Sequence, residues 1–176
     1  MRTLLLSLLL IGAPLATSAQ SDPDLAARVE ILEAERDIER QLYEYGRAID
    51  EGDFDAYVGL FAEDGEWIGG MGAFVGRAAI RAMLEANMRP GPRERLTSFH
   101  MMTSPLIDVA EDGRTATSVS RWTFFMAGDD GAPRAAMAGR YFDDWVKADG
   151  VWLIRRRTAP SDIPFDDLSG APDAAE

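Results

Sequence analysis

Cysteine is absent from this 176-residue chain, and histidine occurs once, at His100. The missing thiols exclude disulfides, thiolate nucleophiles and zinc–thiolate centres, so stability has to come from packing. A single imidazole with no thiolate beside it leaves too few ligands for a transition-metal site. Basic residues are also scarce: 18 Lys and Arg stand against 30 Asp and Glu, a formal net charge of −12. A surface of that sign offers no electrostatic footprint to nucleic acid or anionic lipid, and its plain meaning is solubility. The acidic pairs Glu63-Asp64 and Asp143-Asp144 lack the loop spacing of a calcium site, so no metal is expected. No serine lies in a Gly-x-Ser-x-Gly elbow, and Gly69-Gly70-Met71-Gly72 lacks the Lys-Ser/Thr of a phosphate loop. No internal repeat is visible.

Long apolar runs are missing too, apart from Leu4 to Ile11, interrupted by Ser7. That run is too short to anchor in a bilayer, which takes ~20 residues. Arg2 precedes it, Gly12 and Pro14 break it, and the small residues Thr17, Ser18 and Ala19 follow. This is the pattern of a secretory signal over residues 1–19, cleaved before Gln20. The expectation is an exported protein, periplasmic or secreted, with no membrane anchor. One domain is expected over residues 20–161, followed by an acidic, Pro- and Gly-containing tail over 162–176.

What is present is organised by period. Asp22-Pro23 begins a helix in which Leu25, Val29, Leu32, Ile38, Leu42, Tyr45 and Ile49 recur at helical spacing, opposite a charged face. Gly52 stops it, and Asp53 caps a second helix from Phe54 to about Ala62. Glu66 to Ile68 is a short strand. Gly76 to about Met88 is a third helix with Ile80, Met83 and Leu84 facing inward, ended by Arg89-Pro90-Gly91-Pro92. The second half changes to period two, with strands over Leu96–Val109, Thr115–Ala127, Ala135–Lys147 and Val151–Thr158. Asp112-Gly113, Asp129-Asp130-Gly131 and Asp149-Gly150 are the turns between them. Pro105 predicts a bulge or a sheet edge. Helices first and antiparallel strands afterwards define an α+β domain, its helices packed on one face of a curved sheet.

The order of these pieces, from IDEGDFDAYVGLFAEDGEW through FVGRAAI to GRYFDDWVKADGVWLIRRR, resembles the SnoaL-like branch of the NTF2-like superfamily. The resemblance covers roughly Leu25 to Pro160 and implies a cone-shaped α+β barrel closing over one cavity. Among members of that superfamily, bile-acid dehydratase carries a tyrosine and an aspartate five apart at the end of the first helix, matching Tyr45 and Asp50. Scytalone dehydratase and hexachlorocyclohexane dehydrochlorinase are similar too, the latter with a lysine at the tyrosine's place. A strand histidine of the family matches His100. An arginine on the last strand matches Arg157, with Arg155 and Arg156 adjacent to it as competitors.

Each candidate also has an ordinary reading. Asp50, in the last helical turn, opposes the helix dipole and needs a partner, or else caps the turn beside Gly52. His100, between Phe99 and Met101-Met102, is either a satisfied core residue or a base oriented by a carboxylate. Tyr45 belongs to the apolar stripe and lies ~140° from Asp50 on an ideal helix, which leaves Tyr43 in competition. Arg157 shares strand parity with Leu153 and Arg155, opposite Trp152 and Ile154, and three arginines in a row commonly form a solvated face. Trp67, Met102, Trp122, Phe124 and Tyr141 are candidates for an apolar cavity wall, or for plain core.

The resemblance therefore implies a cofactor-independent lyase of dehydratase type, or an isomerase, acting on a small apolar molecule. In it His100 is the base, Asp50 its orienter, Tyr45 a hydrogen-bond donor and Arg157 a substrate contact. A binding protein using the same cavity without chemistry, or a dimerisation module, are the alternatives, and a homodimer is compatible with all three.

Overall fold

The computed structural model describes residues 23–88, 91, 97–128 and 130–163. The expected signal segment, the cap Asp22, Arg89-Pro90 and Pro92, the strand start at Leu96, the turn residue Asp129 and the tail from residue 164 lie outside them.

Helix α1 runs Pro23–Glu51, and its apolar stripe becomes the central buried ridge: Ala34, Ile38, Leu42, Tyr45, Ala48 and Ile49 are all nearly inaccessible. The same stripe is exposed nearer the start of the helix, at Leu25, Val29 and Leu32. Gly52, at φ 74°, turns the chain, and Asp53 caps α2 (Phe54–Gly59) by accepting from the Ala56 amide at 3.0 Å. Strand β1 (Phe61–Gly69) is longer than its period suggested, because a register shift between Phe61 and Glu66 breaks the alternation. The glycines after it form the turn of a hairpin into β2 (Gly72–Val75), and α3 (Arg77–Asn87) follows, with Ile80, Met83 and Leu84 buried.

Strands β3 (Ser98–Val109), β4 (Thr115–Ala127), β5 (Pro133–Ala148) and β6 (Val151–Ala159) are successive antiparallel hairpins. The sheet order is β2-β1-β6-β5-β4-β3, with β1 and β6 parallel. The expected cone is therefore not a closed barrel: β2 and β3 remain free ends of the sheet, and the helices cover its concave face. Pro105 lies, as its residue type demanded, both on an edge strand and at a bulge, where Ser104 takes φ 51° and the β3–β4 register slips. A short β7 (Ser161–Ile163) pairs with β5 at Ala138 and Gly139, so Asp162 and Ile163 belong to the sheet and not to a loose tail. Inward residues of the long strands, among them Trp122, Trp145, Trp152 and Ile154, meet the α1 ridge in one core.

Candidate active site

The last two turns of α1 lie close against β3 because Gly46 has no side chain there. A Cβ at that position would stand 3.2 Å from Met102 Cγ and 3.7 Å from the His100 carbonyl oxygen. That approach brings Asp50 onto the strand. Asp50 Oδ2 accepts the His100 backbone N–H at 2.8 Å, and Oδ1 lies 2.7 Å from His100 Nδ1. Both side chains are mostly buried, 15% and 11% exposed. An ionised carboxylate can only accept, so the ring hydrogen of this pair sits on Nδ1. The Nε2 lone pair is left for the cavity that His100 lines. The two bonds also answer the helix-dipole problem: Asp50 at the negative end of α1 is held by two donors of one residue. It does not cap the turn, since the Gly52 amide bonds to the Ile49 carbonyl at 3.3 Å.

The cavity occupies about 890 Å³ between α1, α3 and the concave sheet. Asp50 and His100 form part of its wall. Trp67, Trp122, Phe124 and Tyr141 line it, together with Met83, Met88 and Met137. The Phe124 ring tilts against the imidazole with centroids 4.7 Å apart. An apolar chamber of this size with a few convergent polar groups is the ordinary form of a small-molecule site.

Tyr45 also lines this space, at its buried end. The ~140° between Tyr45 and Asp50 is not removed by loosening the helix, which continues through Glu51. Instead the cavity wraps around the helix end and meets both. Tyr43 points outward, donating to Glu39 Oε1 at 2.7 Å, and is no longer a competitor. The Tyr45 oxygen accepts from Tyr57 Oη at 2.5 Å and from Trp67 Nε1 at 3.2 Å. Burial, then the neighbouring Tyr45, pushes the Tyr57 phenol well above the usual tyrosine range, and burial does the same to Tyr141. Both hydroxyls therefore hold their protons to higher pH than an exposed tyrosine does. Tyr57 was not legible as a site residue: α2 spans six residues, too few to show a period, and only its spacing three after buried Phe54 hinted at an inward face.

Two expected contacts are corrected. Met102 does not line the cavity; it is packed against α1 at Gly46. Arg157 does not line it either. It is completely buried behind the tyrosines, with Nε and Nη2 on the two oxygens of Asp143 at 2.7 and 2.8 Å. Simple strand alternation does not hold here because β6 carries an extra residue: Ile154 pairs with Trp145 and Arg156 with Asp144, so a bulge at Arg155 turns Arg157 inward with Trp152 and Ile154. Arg155 and Arg156 face solvent, Arg156 on Glu66 at 2.8 Å. Asp143, one of the acidic pair that lacks calcium-site spacing, is the buried partner, and it also accepts from Ser118 Oγ at 3.1 Å. Burial opposes the charge on Arg157, but Asp143 and the adjacent tyrosines outweigh it and raise the guanidinium above its ordinary range.

An open, curved sheet roofed by helices over a chamber with an oriented imidazole defines a cavity protein of NTF2-like architecture. The chain belongs to the SnoaL-like domain family, whose model matches residues 30–158. A solved NTF2-like protein with a cystatin-like fold from Novosphingobium aromaticivorans is 26% identical, with a TM-score of 0.69 over 88% of this chain and 94% of that one. A protein of the same organism provisionally named scytalone dehydratase is 27% identical, TM-score 0.62, covering 76% of this chain and 87% of that one. LinA, at 16% identity and TM-score 0.62 over 81% of this chain and 96% of that one, shares the fold. No curated protein matches the chain.

Proposed function

We propose that this protein is a cofactor-independent acid–base lyase of dehydratase type, or an isomerase, acting on a small, mostly apolar molecule. The observation that carries the reading is the Asp50–His100 pair, 2.7 Å apart on the wall of a chamber of about 890 Å³. Nε2 of His100 removes a proton from carbon next to an activating group, and the C–H electron pair moves into a new double bond. Asp50 holds the reactive tautomer and stabilises the imidazolium that forms. Tyr45 hydrogen-bonds the substrate oxygen that gains charge or departs. In a dehydration the imidazolium proton leaves with the hydroxyl as water; in an isomerisation it returns to another carbon. The similarity to a provisionally named scytalone dehydratase supports this class. The leader-like residues 1–19 support export to the periplasm or beyond.

The test is a panel of neutral hydroxylated and carbonyl compounds assayed for water loss or double-bond migration. His100→Ala should lose roughly two to four orders of magnitude in kcat, and Asp50→Asn should follow it. Equal turnover by wild type and both variants would discard the mechanism; no turnover of any compound that binds would leave a binding protein using the same chamber.

A further inference from the structure

The guanidinium of Arg157 sits in the corner formed by two adjacent phenol rings, its Cζ 3.9 Å from the centroid of Tyr45 and 4.1 Å from that of Tyr141, the two rings being 5.5 Å apart. Asp143 pins it on one edge through two hydrogen bonds, and Ser118, itself receiving Trp145 Nε1 at 2.9 Å, holds Asp143. The third nitrogen, Nη1, is buried and finds no hydrogen-bond partner among the described residues. The aromatic faces are thus direct neighbours of the cation, and a ring face is where a cation interacts favourably. On the other side of this layer, the Tyr45 oxygen takes two donated hydrogen bonds, so its own hydrogen is directed to neighbouring Tyr141 or to a ligand in the chamber. Two donors on the oxygen and a cation on the ring act in one direction: each strengthens that phenol as a hydrogen-bond donor to a negatively charged oxygen.

We propose that Arg157 is a positioning residue that never touches the ligand and, through Tyr45, makes the buried end of the chamber selective for a ligand oxygen carrying negative charge. This rests on the proposed role of Tyr45 as the hydrogen-bond donor to substrate oxygen, but not on His100 acting as a base. Asp143 is the second member of the device, because without it the guanidinium has nothing to fix it against the rings. The consequence is a preference between two protonation states of one molecule. Mere support of the core would change the binding of both states alike.

The experiment uses 6-cyano-2-naphthol, whose neutral and ionised forms differ in absorbance and interconvert in mildly alkaline solution. Its affinity for the full-length protein is measured by calorimetry and absorbance on both sides of that transition. The naphtholate should bind wild type roughly tenfold or more tightly than the naphthol. Tyr45→Phe should abolish the preference, and Arg157→Lys, which keeps a charge but not the planar stack, should reduce it several-fold. Arg157→Lys should then have no further effect in a Tyr45→Phe background. His100→Ala should keep the preference, which separates this result from the acid–base reading. Equal or weaker binding of the naphtholate by wild type, or no binding of either form, overturns the proposal whatever the variants do. An Arg157→Lys effect of the same size with and without Tyr45 also overturns it. Should Arg157→Lys fail to fold, as circular dichroism would show, Asp143→Asn carries the same expectation.

Discussion

Tyr57 and Tyr141 are the residues whose chemistry burial has altered most plainly, and the consequence appears in alkali. Both are pushed well above the tyrosine range, burial first and neighbouring Tyr45 second. An unfolded chain releases tyrosine protons near pH ~10, whereas these two keep theirs in the folded state. Above that pH the unfolded state binds fewer protons than the native one, so stability falls as pH rises. The contribution is complete below the unfolded value and is lost through the folded ones. In a spectrophotometric titration run beside circular dichroism, exposed Tyr43 should ionise while the fold persists. Tyr57 and Tyr141 should ionise only as helical signal disappears. Tyrosinate absorbance from all the tyrosines with the ellipticity unchanged would contradict the buried arrangement.

At the scale of elements, the contact between α1 and β3 sets the Asp50–His100 geometry, and Gly46 sets that contact. Gly46→Ala adds a methyl that crowds only the flexible Met102, at 3.2 Å, and makes an ordinary contact with the His100 carbonyl oxygen at 3.7 Å, while helix propensity improves by up to ~1 kcal/mol. Its melting temperature should move little. Gly46→Val has to push the helix away from the His100 backbone, and it should cost turnover far more than it costs melting temperature. Crystallography of that variant should show Asp50 withdrawn from Nδ1; an unchanged 2.7 Å pair would refute the account. The stripe of α1, the Gly52 turn, the Asp53 cap and the four long strands could all be read from the chain, because each is a local pattern of period or turn chemistry. Asp50 and His100 could be named because the family resemblance matched them; a charge at a helix C-terminus and a lone imidazole in an apolar strand each call for a partner, but on that ground alone the ordinary readings stand. Arg157, Asp143 and Tyr57 could not be placed. A bulge at Arg155 inverts the alternation that would have aimed the arginine, and a six-residue helix has no measurable face. Strand β2 and the pairing of β7 escaped for a related reason: strands of four and three residues carry too little pattern.

For the molecule as a whole, the concave side of the sheet is filled by helices and chamber, while the convex side is open. Phe99 stacks on Phe125 there at 5.0 Å, and Met101, Val119 and Phe142 are between 37% and 43% exposed. We propose that a second copy covers this face, since exposed apolar side chains gathered on one side of a sheet commonly mark an interface, here in two patches parted by the Arg121–Arg140 pair. Light scattering should give twice the chain mass, and Met101→Lys with Val119→Lys should return it to one. A monomer at micromolar wild-type concentration would refute this. The way the sheet ends says which kind of association it avoids. An unclosed sheet offers unpaired backbone amides and carbonyls to any passing strand, the geometry from which amyloid grows. Here one border is a strand of four residues, Gly72–Val75, and the other is interrupted by Pro105 beside a left-handed Ser104. Neither border presents a long straight template. Straightening β3 by replacing Ser104-Pro105 would therefore change the protein's fate by exposing a border on which fibrils could be seeded.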